Sequence, residues 1–239
     1  MTSSPLTVKA IHKSYAKREV LTSIDFSLNK GEIFGLIGLN GAGKTTLIKI
    51  MLDLASANAG SISIFGEPST NIKARENLSY LPEKFQPSRY LIGMEYLDLV
   101  LSYYGKKCDP ELARDYARRL DLNPIVLEAR VGSYSKGMGQ KLGLLGAFMA
   151  DVSLLVLDEP MSGLDPSARI KLKNMLQDQK KAGKTVFFSS HILSDIDEIC
   201  DRIGVIHDGK LFFIGTPAEF KKQHGSEMLE KAFLNSIAA

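Results

Sequence analysis

The sequence predicts an α/β fold whose core is interrupted by a helical segment. First, an apolar run of strand length at residues 32–37 leads through a glycine-rich loop into a helical pattern at residues 46–52. Second, the pattern is helical from about residue 85 to residue 150, and alternating strands and helices resume after Asp151. The length of 239 residues suits one large domain, or a core with an inserted subdomain.

The residues before the helical segment are predicted to form several strands besides the one that precedes the glycine-rich loop. Strands of rough alternation are expected at residues 7–15 and 20–28, and shorter ones at residues 61–66 and 77–82. Pro82 ends the last of these, because proline cannot donate to the ladder of a sheet.

Three helices are predicted in the helical segment: one at residues 93–104, one that opens at Asp109, and one that opens at residues 135–137. Asp109 is expected to act as the N-cap of its helix, with Pro110 in the first turn. These helices therefore make up most of the helical segment at residues 85–150 that interrupts the α/β core.

After Asp151 the prediction returns to alternating elements. We expect strands at residues 153–157 and 184–189, helices at residues 166–181 and 192–200, and short strands at residues 203–207 and 210–214. Asp208-Gly209 joins the last two strands and is a hairpin signal. Thr216 is expected to cap a further helix, and residues 226–237 to form an amphipathic helical tail.

The glycine-rich loop fits the pattern G-x-x-x-x-G-K-[ST] at every fixed position. Glycines allow backbone N–H groups to curl around phosphate oxygens, and the following helix N-terminus adds partial positive charge. Lys44 is expected to reach the β- and γ-phosphates, and the Thr45 hydroxyl to bind Mg²⁺. The nucleotide is expected to contact Gly38, Leu39, Asn40, Gly41, Ala42, Gly43, Lys44, Thr45 and Thr46. The alternative is a turn that merely joins strand to helix. In that case the two glycines, the lysine and the threonine would occur at these positions by chance.

A second group of polar residues ends the apolar strand at residues 153–157, where Asp158 and Glu159 follow directly. Ligands of open α/β sheets bind beyond the carboxyl ends of the strands. Asp158 is expected to complete the Mg²⁺ site begun by Thr45, and Glu159 to orient or deprotonate a water that attacks the γ-phosphate. The alternative is a solvated pair of carboxylates at a strand end.

Composition excludes several other classes of protein. The net charge is +3, from 30 basic and 27 acidic residues, which is too balanced to indicate nucleic-acid binding. Cys108 and Cys200 lie in no C-x-x-C motif, so we expect free thiols and no cysteine metal site. No signal peptide is expected, because the first five residues offer neither a basic nor an apolar region. No membrane span is expected, because the most apolar stretch, residues 142–150, is too short.

With these motifs in place, residues 7–219 resemble the nucleotide-binding subunits of ATP-binding-cassette (ABC) transporters. The motifs occur in the family's order: the phosphate loop at residues 38–45, the signature Tyr134-Ser135-Lys136-Gly137-Met138-Gly139-Gln140, the acidic strand at residues 154–159, the D-loop Ser162-Gly163-Leu164-Asp165, and the switch histidine in Ser189-Ser190-His191. Any one of these motifs except the phosphate loop would be weak alone, and the ordered set is specific.

The resemblance implies the ABC ATPase fold, which is a RecA-like P-loop NTPase core with a small antiparallel β-subdomain and an inserted α-helical subdomain. It implies an ATPase domain at residues 5–225, with a core at about 5–84 and 151–225, a helical subdomain at about 85–150, and a helical tail at 226–239. The implied cofactors are ATP and Mg²⁺. The implied partners are a second copy, bound head to tail when ATP binds, and an integral-membrane permease on a separate chain. No nucleic acid is expected, and the implied location is the cytoplasmic face of the cell membrane.

The resemblance also implies residue roles. Lys44, Glu159 and His191 would be catalytic, with His191 sensing the γ-phosphate. Tyr15 would stack on adenine, unless it is a strand tyrosine that packs on the small sheet. Ser135 and Gly137 would bind the γ-phosphate held by the other subunit. Asp165 would shape the dimer contact, or cap the helix that begins at Pro166, and both roles are compatible.

Two motifs depart from the family's pattern. Lys136 replaces the first glycine of the signature, and Gln140 lies two positions further on than the usual glutamine. Glu83 stands where the family has the Q-loop glutamine, so it joins Thr45 and Asp158 as a candidate Mg²⁺ ligand. Both departures, together with the stretches at residues 91–97 and 229–234, resemble the branch of ABC ATPases that drive ABC-2-type exporters.

By the same resemblance, residues 85–96 would dock a helix of the membrane subunit. The alternative is that the aromatic residues Phe85, Tyr90 and Tyr96 are ordinary core of the helical subdomain.

Two other functions stay open at this point. One is an ABC-type ATPase that works without a transporter, as a clamp in repair or assembly. The other is a P-loop kinase that phosphorylates a small molecule, against which the signature-like motif and Asp158-Glu159 argue.

Overall fold

Ten β-strands form two sheets in residues 4–238, which are the residues that the computed structural model describes. The strands are β1 (Leu6–Tyr15), β2 (Arg18–Ser27), β3 (Ile33–Ile37), β4 (Ala59–Ile64), β5 (Glu67–Pro68), β6 (Leu78–Leu81), β7 (Leu154–Asp158), β8 (Thr185–Ser190), β9 (Arg202–His207) and β10 (Lys210–Gly215).

Helices lie between and after these strands. They are α1 (Lys44–Met51), α2 (Gly93–Ser102), α3 (Pro110–Arg119), α4 (Lys136–Met149), α5 (Pro166–Lys181), α6 (Leu193–Ile199), α7 (Pro217–Gln223) and α8 (Leu229–Ala238). Short 3₁₀ turns occur at Ile72–Arg75, Pro124–Glu128 and Val131–Ser133.

The larger sheet has the strand order β10-β9-β3-β8-β7-β6. Its strands run parallel except for β10, which pairs antiparallel with β9 at one edge. Every residue of β3, β7 and β8 is buried, as expected for parallel strands covered on both faces. The carboxyl ends of β3, β7 and β8 therefore meet at one edge, where the phosphate loop, Glu159 and His191 follow.

The smaller sheet is antiparallel, with the order β2-β1-β4-β5, and packs on one face of the larger sheet. Phe26 of β2 stacks on Phe34 of β3 and Phe187 of β8, with ring centroids 5.4 and 6.2 Å away. This stack holds the β1–β2 hairpin beside the strand that feeds the phosphate loop.

Helices α2 to α4 share one apolar cluster with the opposite face of the larger sheet. Leu97 of α2, Ala117 of α3 and Phe148 of α4 are buried in it, and so are Leu155 and Phe188 of the sheet. The helical segment is therefore packed on the same core that supports the strand ends.

The α/β prediction is confirmed, and most elements differ from their predicted limits by one to three residues. The helix predicted for residues 166–181 has those limits in α5. The tail helix starts at Leu229 instead of Ser226, because the Ser226 hydroxyl makes a turn by accepting from the Met228 N–H at 3.1 Å. Helix α1 starts at Lys44, two residues before the predicted helical pattern. Within residues 4–238, no helix combines the length and apolarity that crossing a bilayer requires.

Candidate functional site

The phosphate loop crosses from β3 to α1 in a conformation that requires glycine. Gly43 has φ +108°, and a Cβ there would lie 2.6 Å from Leu21 Cδ2 and 2.9 Å from the Val20 carbonyl oxygen. Gly43 precedes the first residue of α1, so the first N–H groups of this helix face the concave side of the loop. The backbone is therefore arranged for an anion at this point.

Lys44 and Thr45 tie the loop to its surroundings. Lys44 is buried, and its Nζ donates a 2.8 Å hydrogen bond to the Gly38 carbonyl oxygen. The Thr45 hydroxyl donates to Asp158 Oδ2 at 2.9 Å. Thr45 and Asp158, which the sequence predicts to bind Mg²⁺, thus join the loop to the end of β7.

Asp158 is fully buried at the end of β7, where the Ser189 hydroxyl donates to its second oxygen. Burial raises the pKa of Asp158, while the hydrogen bonds from Ser189 and Thr45 lower it. The charges of Glu83 and Glu159 raise the pKa of Asp158 further.

The donor atoms here fit Mg²⁺, which prefers oxygen ligands and keeps part of its shell for water and phosphate. Thr45 supplies a hydroxyl, and Asp158 and Glu83 supply carboxylates. Residues 4–238 contain no group of three or more His, Cys, Asp or Glu side chains arranged to hold a metal ion. A metal at this place would therefore take its remaining ligands from phosphate and water.

Glu159 bridges two other predicted catalytic residues. Its Oε1 lies 3.4 Å from Lys44 Nζ, and its Oε2 lies 2.7 Å from His191 Nδ1. Its backbone has φ +51°, a left-handed conformation that is uncommon for glutamate, and its N–H donates to Ser189 Oγ at 3.0 Å. The structure thus brings Lys44, Glu159 and His191 together, although they come from three separate segments.

These groups surround a cavity of about 280 Å³ at the strand ends. Its lining is Val20, Asn40, Gly41, Gly43, Lys44, Thr45, Thr46, Glu83, Glu159, Ser162 and His191. Nine of these eleven residues are among the predicted site residues.

Other predicted site residues lie outside this lining. Leu39 is exposed and Ala42 is buried in the apolar core, while Gly38 contributes its carbonyl oxygen to Lys44. Tyr15 is half-exposed at the end of β1, and Lys13 Nζ lies 4.6 Å from its ring centroid. Their roles in nucleotide binding stay predictions.

Ser135 faces a different cavity from the one beside the phosphate loop. Its hydroxyl accepts from the Met138 N–H at 3.2 Å and caps α4. It lines a larger cavity of about 980 Å³, which shares only Glu83 and Ser162 with the first. Gly137 lies in the first turn of α4 and directly follows Lys136, which lines this cavity.

Asp165 caps α5, since its Oδ1 accepts from the Ala168 N–H at 3.0 Å. This hydrogen bond lowers the pKa of the Asp165 carboxyl. Asp165 therefore caps α5, as one of the two predicted roles requires. Its role in a dimer contact stays a prediction.

The sequence analysis assigned no site role to Ser189, Ser162 or Val20. Ser189 is the most consequential of these, because it donates to Asp158 and accepts from the Glu159 N–H. Its signal was a small hydroxyl at the end of an apolar strand, directly before a candidate catalytic histidine.

Comparison with known proteins adds three findings. Residues 21–162 match the family described as ABC transporter. An ABC transporter ATP-binding protein of Synechocystis sp., described as uncharacterized, is 38% identical over 209 residues, which are 85% of this chain and 58% of that protein. The Nod factor export ATP-binding protein I of Burkholderia orbicola is 34% identical over 235 residues, which are 96% of this chain and 77% of that protein.

A solved structure described as the ATP-binding subunit of an ABC transporter has a TM-score of 0.85 and 32% identity to this chain. The alignment covers 97% of this chain and 98% of the solved one, so the two share a fold throughout. In length, this chain spans less than two thirds of the Synechocystis protein, of which it covers 58%.

Proposed function

Because this chain belongs to the ABC transporter family, we propose that it is the subunit that hydrolyses ATP to power an exporter. The fold is the ABC ATPase fold that the sequence motifs implied. One observation carries the proposal: Glu159 touches both Lys44 and His191, beside a carboxylate that is hydrogen-bonded to Thr45. Export is supported by the name of the Burkholderia relative, an export ATP-binding protein, and by the branch resemblance of the signature.

ATP binding would rearrange the interactions of Lys44. In the structure its ammonium group donates to the Gly38 carbonyl oxygen and lies beside Glu159. A triphosphate in the loop offers stronger, charged acceptors, so Lys44 turns to the β- and γ-phosphates. Glu159 is then released from Lys44 and can accept a proton from the attacking water.

Mg²⁺ would be held by Thr45 and Asp158, with Glu83 as a candidate third ligand. When bound, this ion supplies charge neutralisation of the phosphates and of the leaving group. Ser189 keeps the Asp158 carboxylate oriented, and the same hydroxyl fixes the Glu159 backbone. The Ser189 hydroxyl would thus position both the metal ligand, Asp158, and the water-directing residue, Glu159.

His191 holds Glu159 from the side opposite Lys44. Its Nδ1 contact with Glu159 leaves the other ring nitrogen to face the γ-phosphate. His191 would therefore couple the presence of phosphate to the position of Glu159.

The proposal includes a head-to-tail dimer that closes on ATP. Ser135 lines a cavity other than the one beside the phosphate loop, so within one chain it does not face the predicted phosphate position. In a head-to-tail arrangement, Ser135 and Gly137 of one copy would cover the nucleotide held by the other. Closure and opening of this dimer would supply the mechanical step.

The membrane partner would dock on residues 85–96 from the cytoplasmic side. Phe85 and Tyr96 pack edge to face with ring centroids 5.4 Å apart, and both lie against the core, so they support the surface from inside. Tyr90 is 86% exposed and is the aromatic residue of the three that is available for docking. The relatives named above are transporter components, which favours this reading over a clamp or a small-molecule kinase.

Replacing Glu159 tests the proposed function. Glu159→Gln should bind ATP with nearly unchanged affinity, hydrolyse it at least a hundredfold more slowly (on the order of the loss of a general base), and accumulate as an ATP-bound dimer. Calorimetry, phosphate release and size-exclusion chromatography with ATP and Mg²⁺ measure these three properties.

Lys44→Ala is the matched control for that experiment. It removes the cation from the same buried cluster, and it should weaken ATP binding and yield no dimer. Wild-type hydrolysis by Glu159→Gln, or unchanged ATP affinity of Lys44→Ala, would contradict the proposal. Phosphate transfer to a small acceptor instead of water would favour the kinase.

A further inference from the structure

Lys141 is a buried lysine in the second turn of α4, and none of the interactions described so far involves it. It is 7% exposed, and its Nζ donates a 2.8 Å hydrogen bond to the Asp121 carbonyl oxygen. The same Nζ lies 3.7 Å from Asp165 Oδ2. Burying an ammonium group is unfavourable unless it is paired and hydrogen-bonded, so this lysine depends on these two partners.

The segment that Lys141 reaches is residues 160–165, which connects Glu159 to α5. Two further contacts hold this segment against α4. Gln140 is buried and its Nε2 donates to the Pro160 carbonyl oxygen at 3.2 Å. A Cβ at Gly137 would lie 2.9 Å from the Gly163 carbonyl oxygen, so the two backbones are in close approach.

These three α4 residues occupy one face of the helix, at spacings of three and four positions. Gln140 contacts the beginning of the connecting segment, at Pro160, and Gly137 lies against its middle, at Gly163. Lys141 makes the contact at the end, with the residue that caps α5.

Asp121 extends this contact to the body of α5. Its carboxylate accepts from Lys171 Nζ at 2.8 Å and from the Ser167 hydroxyl at 3.3 Å. The turn after α3, the N-terminal half of α4 and the start of α5 are therefore joined through a few polar groups, with Lys141 at the centre.

We propose that Lys141 is a positioning residue, which holds the segment after Glu159 against α4 so that Glu159 and Ser135 keep a defined spacing. The proposal rests on the proposed function, because that spacing matters only if Ser135 serves one nucleotide while Glu159 of the same chain serves another. Without Lys141, the end of the segment loses its charged link to α4.

The test compares Lys141→Met with Lys141→Arg. Methionine keeps most of the volume of the lysine side chain but leaves the Asp121 carbonyl oxygen and Asp165 without their partner. Arginine restores a cation that can reach both. The matched control is Lys184→Met, since Lys184 is also largely buried and paired with a carboxylate, Asp151, but lies before β8, at the far end of the sheet.

The first readout is hydrogen exchange of the nucleotide-free chain. The Leu164 and Ala168 amides are hydrogen-bonded to the Met161 carbonyl oxygen and to Asp165 Oδ1. We expect both amides to exchange on the order of tenfold faster in Lys141→Met and at the wild-type rate in Lys184→Met. Unchanged exchange in Lys141→Met would overturn the proposal, whether or not the chain hydrolyses ATP.

The second readout is steady-state ATP hydrolysis. We expect kcat to fall on the order of tenfold in Lys141→Met, with the ATP dissociation constant changed less than twofold and with kcat largely recovered in Lys141→Arg. A lower melting temperature with an unchanged kcat would show a purely structural role and overturn the proposal. If the wild-type chain does not hydrolyse ATP, the proposed function is wrong. The exchange experiment would still decide whether Lys141 holds residues 160–165 against α4.

Should Lys141→Met fail to fold, Asp165→Asn replaces it. Asparagine retains N-cap ability, so α5 keeps its start, but the charge that faces Lys141 is lost. The same faster exchange and lower kcat are expected, and wild-type values for both would overturn the proposal.

Discussion

Asp158 is a carboxyl group in a fully buried position of the site. Because burial raises the pKa of Asp158, its ionised form is less favourable in the folded chain than in the unfolded chain. Above the unfolded pKa, the charge therefore lowers the free energy of unfolding of the nucleotide-free chain. Two hydroxyl donors, Thr45 and Ser189, offset part of this cost.

Asp158→Asn should consequently stabilise the nucleotide-free chain at neutral pH while abolishing Mg²⁺-dependent hydrolysis. The amide keeps the shape of the carboxyl and removes the buried charge. Ser189→Ala is the matched opposite, since it removes a donor to the same carboxylate and should destabilise the chain by about 1–3 kcal/mol. Thermal unfolding without nucleotide checks both, and a lower melting temperature for Asp158→Asn would contradict the argument.

At this scale, the sequence predicted the acidic pair and the phosphate loop, because both are short patterns of residue type next to strand ends. It did not predict that Glu159 adopts φ +51° or that it contacts both Lys44 and His191. A left-handed glutamate has no sequence signature, and the contacts depend on three strand ends whose spacing is set by the sheet.

Among the elements, α8 illustrates how a peripheral helix supports the site. It packs against α6 and α7, and Leu229, Ala232 and Phe233 are buried in the main apolar cluster. Helix α6 begins two residues after His191. The tail therefore stabilises the element that follows His191.

Phe233→Ala should lower the free energy of unfolding by roughly 3 kcal/mol, since it removes a large buried side chain. The adjacent Leu234→Ala is the matched control: Leu234 is 59% exposed against 4% for Phe233, and its replacement should change stability by less than about 0.5 kcal/mol. Urea denaturation gives both values. Equal effects would mean that α8 is not anchored as described.

Element types followed from periodicity, and helix limits were predicted most accurately where a capping signal marks them. The helix that follows Asp165 was predicted at its observed limits, because an N-cap and a proline mark its start. Helix α8 lacks such a signal at Ser226, so its start was predicted three residues early.

For the whole molecule, the decisive surfaces lie where two copies or two different chains would meet. The cavity of about 980 Å³ between residues 83–90 and the start of α4 is lined by three exposed basic residues, Lys84, Arg89 and Lys136, and one acidic residue, Glu83. The sequence contained these residues but not their convergence, since they come from segments about 50 positions apart. Its basic lining favours a partner segment that carries acidic groups.

Tyr90 is the most exposed aromatic residue on this rim, and we expect it to anchor the membrane subunit. Tyr90→Ala should reduce recovery of the proposed membrane subunit from detergent-solubilised membranes relative to the wild-type chain, by a loss on the order of 2 kcal/mol in affinity. Tyr103→Ala is the matched control, because Tyr103 is 81% exposed but lies at the end of α2, outside the lining of this cavity.

Basal ATP hydrolysis should be the same in both tyrosine variants, since neither side chain lines the phosphate-loop cavity. A docking role then predicts that only Tyr90→Ala separates hydrolysis from partner binding. If both variants recover the membrane protein as well as the wild type does, residues 85–96 are not the docking surface. If both lose it equally, exposed tyrosines in general, and not this rim, make the contact.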